Sequence, residues 1–460
     1  MTSTATGLTR AVAGFVSGLQ SNAIPDRCTD AARTGIADCV AVMIAGAGER
    51  PVDMVRSLVA EAKGADAAPE IPGGRMLSAA DAALVNGVAG HVLDYDDVAL
   101  DGHTSVVLTP AILAEGWALG SSGADVIAAY LAGYEVWAAL MELEPGAMHE
   151  RGFHPTATWG PLAAAAACAR LNRLDAEATC NAIAISASLA GGLVANFGTM
   201  TKSLHAGRAA QAGVFAARLA KQGFTASADI LEHRTGFLNA HSPSGKPDTS
   251  PVDLRLGRDW RLMQHGINIK QYPTCYATHR SIDGMLDLVM EHDVKPSDVR
   301  EIKVRIGDTQ ALMLRNHAPK TGLEAKFSIE FALACSLVAR QVGLQQLTDE
   351  FAQQPDVVAA MTQVRTATTT ERGAGLPFAA ADEVAIVLRS GKELKGAPVS
   401  HARGSWQRPL SEAELGRKFL DCTSGALGPN HATSLFKALM GLEHVASIRD
   451  LPLVGIERRH

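Results

Sequence analysis

Residues 90–105 read GHVLDYDDVALDGHTS, with three carboxylates in four positions, Asp94, Asp96 and Asp97, between His91 and His103. Carboxylates spaced this closely to imidazoles suit two chemistries. Three carboxylates and a histidine can hold a hard divalent ion. Alternatively, a carboxylate can orient an imidazole or a lysine that moves a proton. The competing reading is a solvated turn, because the segment falls where a helix should end, and the helix dipole there disfavours negative charge by roughly 0.3–1 kcal/mol.

Three further stretches carry reactive residue types. RGFHPTATWGPLAAAAA sets His154 before Pro155, with Thr156 and Thr158 expected to cap an Ala-rich helix. NFGTMTKSLHAGRAAQAG places Lys202, His205 and Arg208 within seven positions at a helix start, where cations and backbone N–H groups make an anion receptor. NIKQYPTCYATHRSIDG brings Lys270, Tyr272, Cys275 and His279 to a domain boundary, and interdomain clefts are where ligands usually sit. In a chain of net charge -6, this gathering of cations and imidazoles is the profile of a site for a small substrate with two or three carboxylates. Lysine and arginine would neutralise the substrate, and a histidine near its ordinary pKa of ~6.5 could remove or return a proton. The enolate-like charge formed at a carbon next to a carboxylate needs cations beside it. A metal site ranks below this reading, and no metal is expected. HERGFH places His149 and His154 five apart, unlike the HExxH zinc helix. The phosphate-loop, GxSxG and GxGxxG signatures are also missing.

The elements that must position these residues divide the chain in two. At 460 residues the chain is long for one core. Up to about residue 265 it alternates Ala-rich helical patterns with short polar breaks, and small side chains let helices approach closely. Ser78 with Asp81 makes a capping pair for the helix entering the acidic motif. Beyond NIKQYPTCYATH, Ile302, Val304 and Ile306 alternate with charged residues as a half-buried strand does, and DEVAIVLRSGKEL carries a second strand with its own turn. The expected fold is therefore mostly α, with a helical domain over 1–266 completed by 398–460 and a smaller α+β domain over 267–397. The negative charge argues against a nucleic-acid partner. Seven scattered cysteines without CxxC spacing suit a reducing cytoplasm. The first residues lack a basic, then apolar, leader, and no run approaches the ~20 apolar residues of a membrane helix, so a soluble cytoplasmic protein is expected.

HVLDYDD…GH, GFHPTATWG, FGTMTKSLHAGRAA, IKQYPTCYATH and GLEAKFSIEFALA resemble, in that order and across nearly the whole chain, the MmgE/PrpD family. That family includes 2-methylcitrate dehydratase, cis-aconitate decarboxylase and iminodisuccinate epimerase. The resemblance implies a helical domain built from both chain ends with an inserted α+β lid. It also implies a homodimer and no required metal or organic cofactor. By position it matches Asp94, His103, His154, Lys202 and Lys270 to pocket residues of the family; with Cys275 these are the expected catalytic residues, and His205, Arg208, Tyr272, His279 and Phe331 are the expected substrate-binding ones. Val98, Cys275 and Phe331 stand where the decarboxylase branch has threonine, histidine and tyrosine, which counts against cis-aconitate decarboxylation itself. NFGTMTK, PTCYATH and GLEAKFSIEF look closer to the epimerase branch. The expected function is a cofactor-independent, dehydratase-like lyase that abstracts a proton alpha to a carboxylate of a small di- or tricarboxylic acid. An epimerase of an iminodisuccinate-like dicarboxylate and a non-catalytic carboxylate-binding protein are the alternatives.

Overall fold

The computed structural model describes residues 7–144, 146–250, 254–373 and 378–453. Its contacts divide the chain into two units, one of Met1–Ile267 with Ser411–His460 and one of Asn268–Leu410. The helical unit is built around α1 (Asp26–Gly46), α2 (Ala79–His91), α3 (Ser105–Leu119), α4 (Gly123–Glu142), α5 (Gly160–Leu171) and α6 (Thr201–Lys221). Helix α6 packs on both α2 and α5. The close approach depends on missing side chains: a Cβ at Gly87 of α2 would lie 2.8 Å from the Cα of Gly207 on α6. The expected cap is present, with Ser78 Oγ accepting from the Asp81 N–H at 3.1 Å.

Two features of this unit depart from the expectation. A two-stranded antiparallel hairpin, β1 (Ala67–Pro69) with β2 (Met76–Ser78), interrupts the helices. Helix α4 is long and apolar enough, by length and composition, to cross a membrane, although its sequence is punctuated by Asp125 and Glu135. Most of it is buried inside the protein, where it packs along α5.

The smaller unit contains α7 (His279–Glu291), the strand β3 (Val299–Gly307) and α8 (Ile329–Ala339). It continues with β4 (Val364–Thr369), β5 (Glu383–Leu388) and β6 (Glu393–Lys395). The sheet order is β4-β3-β5-β6, with β3 and β4 parallel and the other pairs antiparallel. Strand β3 buries Ile302, Val304 and Ile306, as its alternation requires. Gly391, at φ 90°, supplies the left-handed position in the turn between β5 and β6. The unit extends beyond the expected edge at 397. The Ile269 N–H donates to the Gly404 carbonyl at 2.8 Å, and Arg403 bonds Asp283 at 2.9 Å, so residues up to Leu410 stay with it. The chain then returns to the helical unit as α9 (Glu412–Leu427) and α10 (Pro429–Met440), which pack on α1. Ser411 and Glu414 close a capping box at the start of α9.

Candidate active site

Helix α2 ends at His91, and residues 92–104 form a loop before α3 begins. Asp94, Leu100 and Asp101 all take left-handed backbone angles, at φ 53°, 52° and 59°. Such conformations cost free energy in residues with a Cβ and persist only where surroundings fix them. Two of the fixings are visible. Asp97 accepts from the Ser105 N–H at 3.2 Å and from Thr104 Oγ1 at 3.1 Å, which ties the loop to the N-terminus of α3. Gly102 sits where a Cβ would come 2.8 Å from Trp137, so the chain passes close to α4 immediately before His103.

At the centre, one buried carboxylate serves two imidazoles. The Nδ1 atoms of His91 and His103 each lie 3.0 Å from Asp96. His103 Nδ1 is also 2.9 Å from the Asp97 carbonyl, which can only accept. The Nδ1 of His103 therefore carries the proton, and in the neutral ring Nε2 is the basic nitrogen. Burial opposes charge on Asp96, but the two imidazoles outweigh it and hold its carboxyl well below the usual range. Burial lowers His91 to about 3, so its ring is neutral. The His103 side chain is 12 % exposed, whereas those of His91 and Asp96 are fully buried, so His103 is the member of this trio that reaches solvent.

The other motifs meet this trio. Thr156 Oγ1 accepts from the His103 N–H at 3.1 Å, and Thr158 Oγ1 donates to the His154 carbonyl. These threonines were expected to cap the Ala-rich helix; instead Pro155 starts a short turn and α5 begins without a side-chain cap. The His154 ring lies 6.3 Å from that of His103 and 6.1 Å from that of His91. His154 Nδ1 is 3.1 Å from His205 Nδ1, so one donates and the other accepts, and at least one ring is neutral. Burial, then the charge of Lys202, lowers both of them. Lys202 Nζ bonds Asp94 Oδ1 at 2.6 Å and lies 5.6 Å from the Phe197 ring centroid. One ammonium, one oriented imidazole and several neutral imidazoles thus share a small volume. Such a set can receive a proton from a carbon acid and stabilise the charge left behind.

A metal could draw on the same groups. His91, His103 and His154, or His91, Asp94, Asp96 and His103, offer ligand atoms within 4.8 Å of one another. His91 and His103 already direct Nδ1 at Asp96, 3.0 Å away, so an ion held by these atoms would have to displace the Nδ1 proton of His103. Asp94 is already paired with Lys202, whose ammonium would lie close to the ion. The donor set fits proton transfer better than it fits a resident cation.

These environments fix a pH dependence of stability. His91, at about 3, stays neutral in the fold while the unfolded chain takes up a proton below ~6.5, so stability climbs with pH between those values. His154 and His205 are lowered too and act in the same direction. Asp97 opposes them. Burial, then the charges of Asp96 and Asp38, raises it to about 7, so it favours the fold most below ~4 and loses that contribution as pH rises through 7. Three imidazoles outweigh one carboxyl. The expected result is a Tm that rises from about pH 5 to about pH 6.5, and rises more steeply in Asp97→Asn. Thermal melts across that range measure both, and a falling Tm contradicts the assignment.

Two family models match the chain, the MmgE/PrpD N-terminal domain over residues 10–250 and the MmgE/PrpD C-terminal domain over 272–441. The chain belongs to the MmgE/PrpD family. It is 28 % identical over 451 residues to the cis-aconitate decarboxylase of Mus musculus, covering 95 % of this chain and 91 % of that one. The Homo sapiens cis-aconitate decarboxylase is 29 % identical over 374 residues, 79 % of this chain and 76 % of that one. An Aspergillus terreus cis-aconitate decarboxylase is 24 % identical over 475 residues, 97 % and 95 % of the two chains. The protein is an enzyme of the MmgE/PrpD lyase type.

Of the residues the MmgE/PrpD motifs single out, Asp94, His103, His154, Lys202 and His205 are brought together in the helical unit. Arg208 is not among them. Each three-residue step on a helix falls about 60° short of a full turn, so Arg208 leaves the face shared by Lys202 and His205. It is exposed and donates to Gln211. In the smaller unit, Tyr272 Oη donates to Asp283 at 2.5 Å, and the Tyr272 and His279 rings lie 5.1 Å apart. Lys270 is 1 % exposed. The Cys275 N–H donates to the Lys326 carbonyl, and its thiol is half-buried. Phe331 is fully buried beside Phe351 in the core of that unit. Sequence reasoning weighed His91 and Asp96 only as members of the acidic stretch, with no catalytic or binding place of their own, and gave Phe197 none. The first two belong to the HVLDYDD motif itself, so the signal was present, but spacing does not say which carboxylate faces which ring.

Proposed function

We propose that the protein is a cofactor-independent, dehydratase-like lyase that removes a proton alpha to a carboxylate of a small di- or tricarboxylic acid. The observation that carries this reading is the Asp96 bridge between His91 and His103, with the Lys202–Asp94 pair in the same cluster. Asp96 and the Asp97 carbonyl orient His103 so that its Nε2 accepts the proton, and Lys202 stabilises the enolate-like negative charge that the departing proton leaves on the substrate. His154 and His205, neutral and hydrogen-bonded to each other, are placed to pass a proton onward. A leaving group on the adjacent carbon then departs and an alkene forms. The curated relatives are decarboxylases of cis-aconitate, and they support a lyase on a compact polycarboxylate. Val98, Cys275 and Phe331, at the places described above, favour elimination over loss of carbon dioxide.

A second reading, epimerisation of an iminodisuccinate-like dicarboxylate, is favoured by one observation. Cys275 is the one cysteine of seven that is not buried, and an epimerase needs a second acid to return the proton, a part a thiol can play. The proposal also takes the enzyme as a homodimer, as the family resemblance implies, and as cytoplasmic, as its seven scattered cysteines suggest.

Citrate, 2-methylcitrate, aconitate and iminodisuccinate analogues, followed by ultraviolet absorbance and trapped carbon dioxide, test the reading. New alkene without carbon dioxide is the expected result with one of the hydroxy acids; carbon dioxide release from aconitate alone contradicts elimination. Prolonged treatment with EDTA is expected to leave turnover unchanged, and a loss restored by a divalent ion would assign the acidic loop to metal chemistry instead.

A further inference from the structure

Lys418 lies on α9, in the C-terminal stretch, outside every motif that marks the site. Its side chain and that of Asp38 on α1 are each 1 % exposed, and they form an ion pair of 2.6 Å. The same ammonium donates to the Tyr95 carbonyl at 3.0 Å and sits 4.0 Å from the centroid of the Tyr95 ring. Tyr95 stands between Asp94, which holds Lys202, and Asp96, which holds His91 and His103. A buried ion pair is a weak source of stability, because apolar residues of similar volume often do as well. What this pair provides is direction: one cation, neutralised from α1, on which both the carbonyl and the ring of Tyr95 converge.

We propose that Lys418 is a positioning residue for the active site, holding Tyr95 and thereby setting the directions of Asp94 and Asp96 on either side of it. The inference rests on reading the acidic loop as the proton-transfer centre. Asp94 is already held in the left-handed region, so the loop would relax if its middle residue were released. A displacement of about 1 Å in such a site costs on the order of 100-fold in rate. Asp38 has a second influence here, since its charge also raises the Asp97 carboxyl.

The test is the double variant Asp38→Leu/Lys418→Met, which removes both charges and leaves no orphaned ion. It is expected to fold, to lose roughly 10- to 100-fold in kcat, and to keep KM within about twofold, because the substrate-facing groups remain. In the ligand-free enzyme, the downfield imidazole N–H resonances of the rings bonded to Asp96 are expected to shift. A folded double variant with wild-type kcat and unmoved resonances overturns the proposal. Should the double variant fail to fold, Tyr95→Leu takes away the ring beneath the ammonium while the ion pair stays, and the same two readings decide. Absence of turnover in the wild-type enzyme on every carboxylate would strike the proposed function alone, since the resonances are read without substrate.

Discussion

Replacing His103 with alanine is expected to lower kcat by about 10²–10⁴-fold, the usual contribution of a positioned acid or base, while the Tm changes little. The stability side follows from its surroundings. The His103 side chain is partly exposed, and its partner Asp96 retains the Nδ1 of His91 at 3.0 Å. The carboxylate is therefore not orphaned when the ring is removed. Loss of rate without loss of fold is the signature of a group that acts on the substrate. A variant that keeps wild-type kcat removes His103 from the mechanism, and the oriented Nε2 would then need another explanation. Glutamine at the same position is expected to be nearly as inactive, because an amide occupies the space but does not take up the proton.

Replacing Lys202 with methionine is expected to damage both fold and rate. Lys202 and Asp94 are 10 % and 7 % exposed at a separation of 2.6 Å. Removing one partner of such a pair takes the neutralising charge from a buried carboxylate, at a cost of about 3–5 kcal/mol, which corresponds to a Tm lower by on the order of 10 °C. Adding Asp94→Leu is expected to restore most of that stability and none of the activity, because the cation that stabilises the developing charge is still missing. Calorimetry together with kcat for the single and double variants measures the separation. If the double variant regains activity along with stability, Lys202 serves only to hold the loop.

Much of this arrangement was legible in the sequence because the helices are built from strong signals. Ser78 and Asp81 mark the start of α2, the alanine and glycine content of α2, α5 and α6 foretells their close packing, and the alternation in β3 is regular. Strand β4 escaped because VRTATT is polar on both faces and exposes most of its residues at the edge of the sheet. Within the site, types and spacing gathered Asp94, His103, His154, Lys202 and His205. Spacing alone could not say that Asp96 would serve two imidazoles, that Thr156 would receive the His103 N–H instead of capping a helix, or that Arg208 would turn away to Gln211. Those outcomes depend on how far a helix rotates and on which atoms burial brings within hydrogen-bond reach. Lys418 was the least visible of all, since it meets the loop from a segment more than three hundred residues away.

The most direct test of the central claim is proton NMR of wild-type and His103→Ala enzyme, without added metal, in deuterated buffer with the carboxylate panel. Deuterium entering the carbon next to a carboxylate, or an alkene formed from it, in the wild-type sample and not in the variant is the result expected. No exchange and no product from any di- or tricarboxylate, or equal exchange in both enzymes, would contradict a proton-transfer centre built on His103 and Asp96.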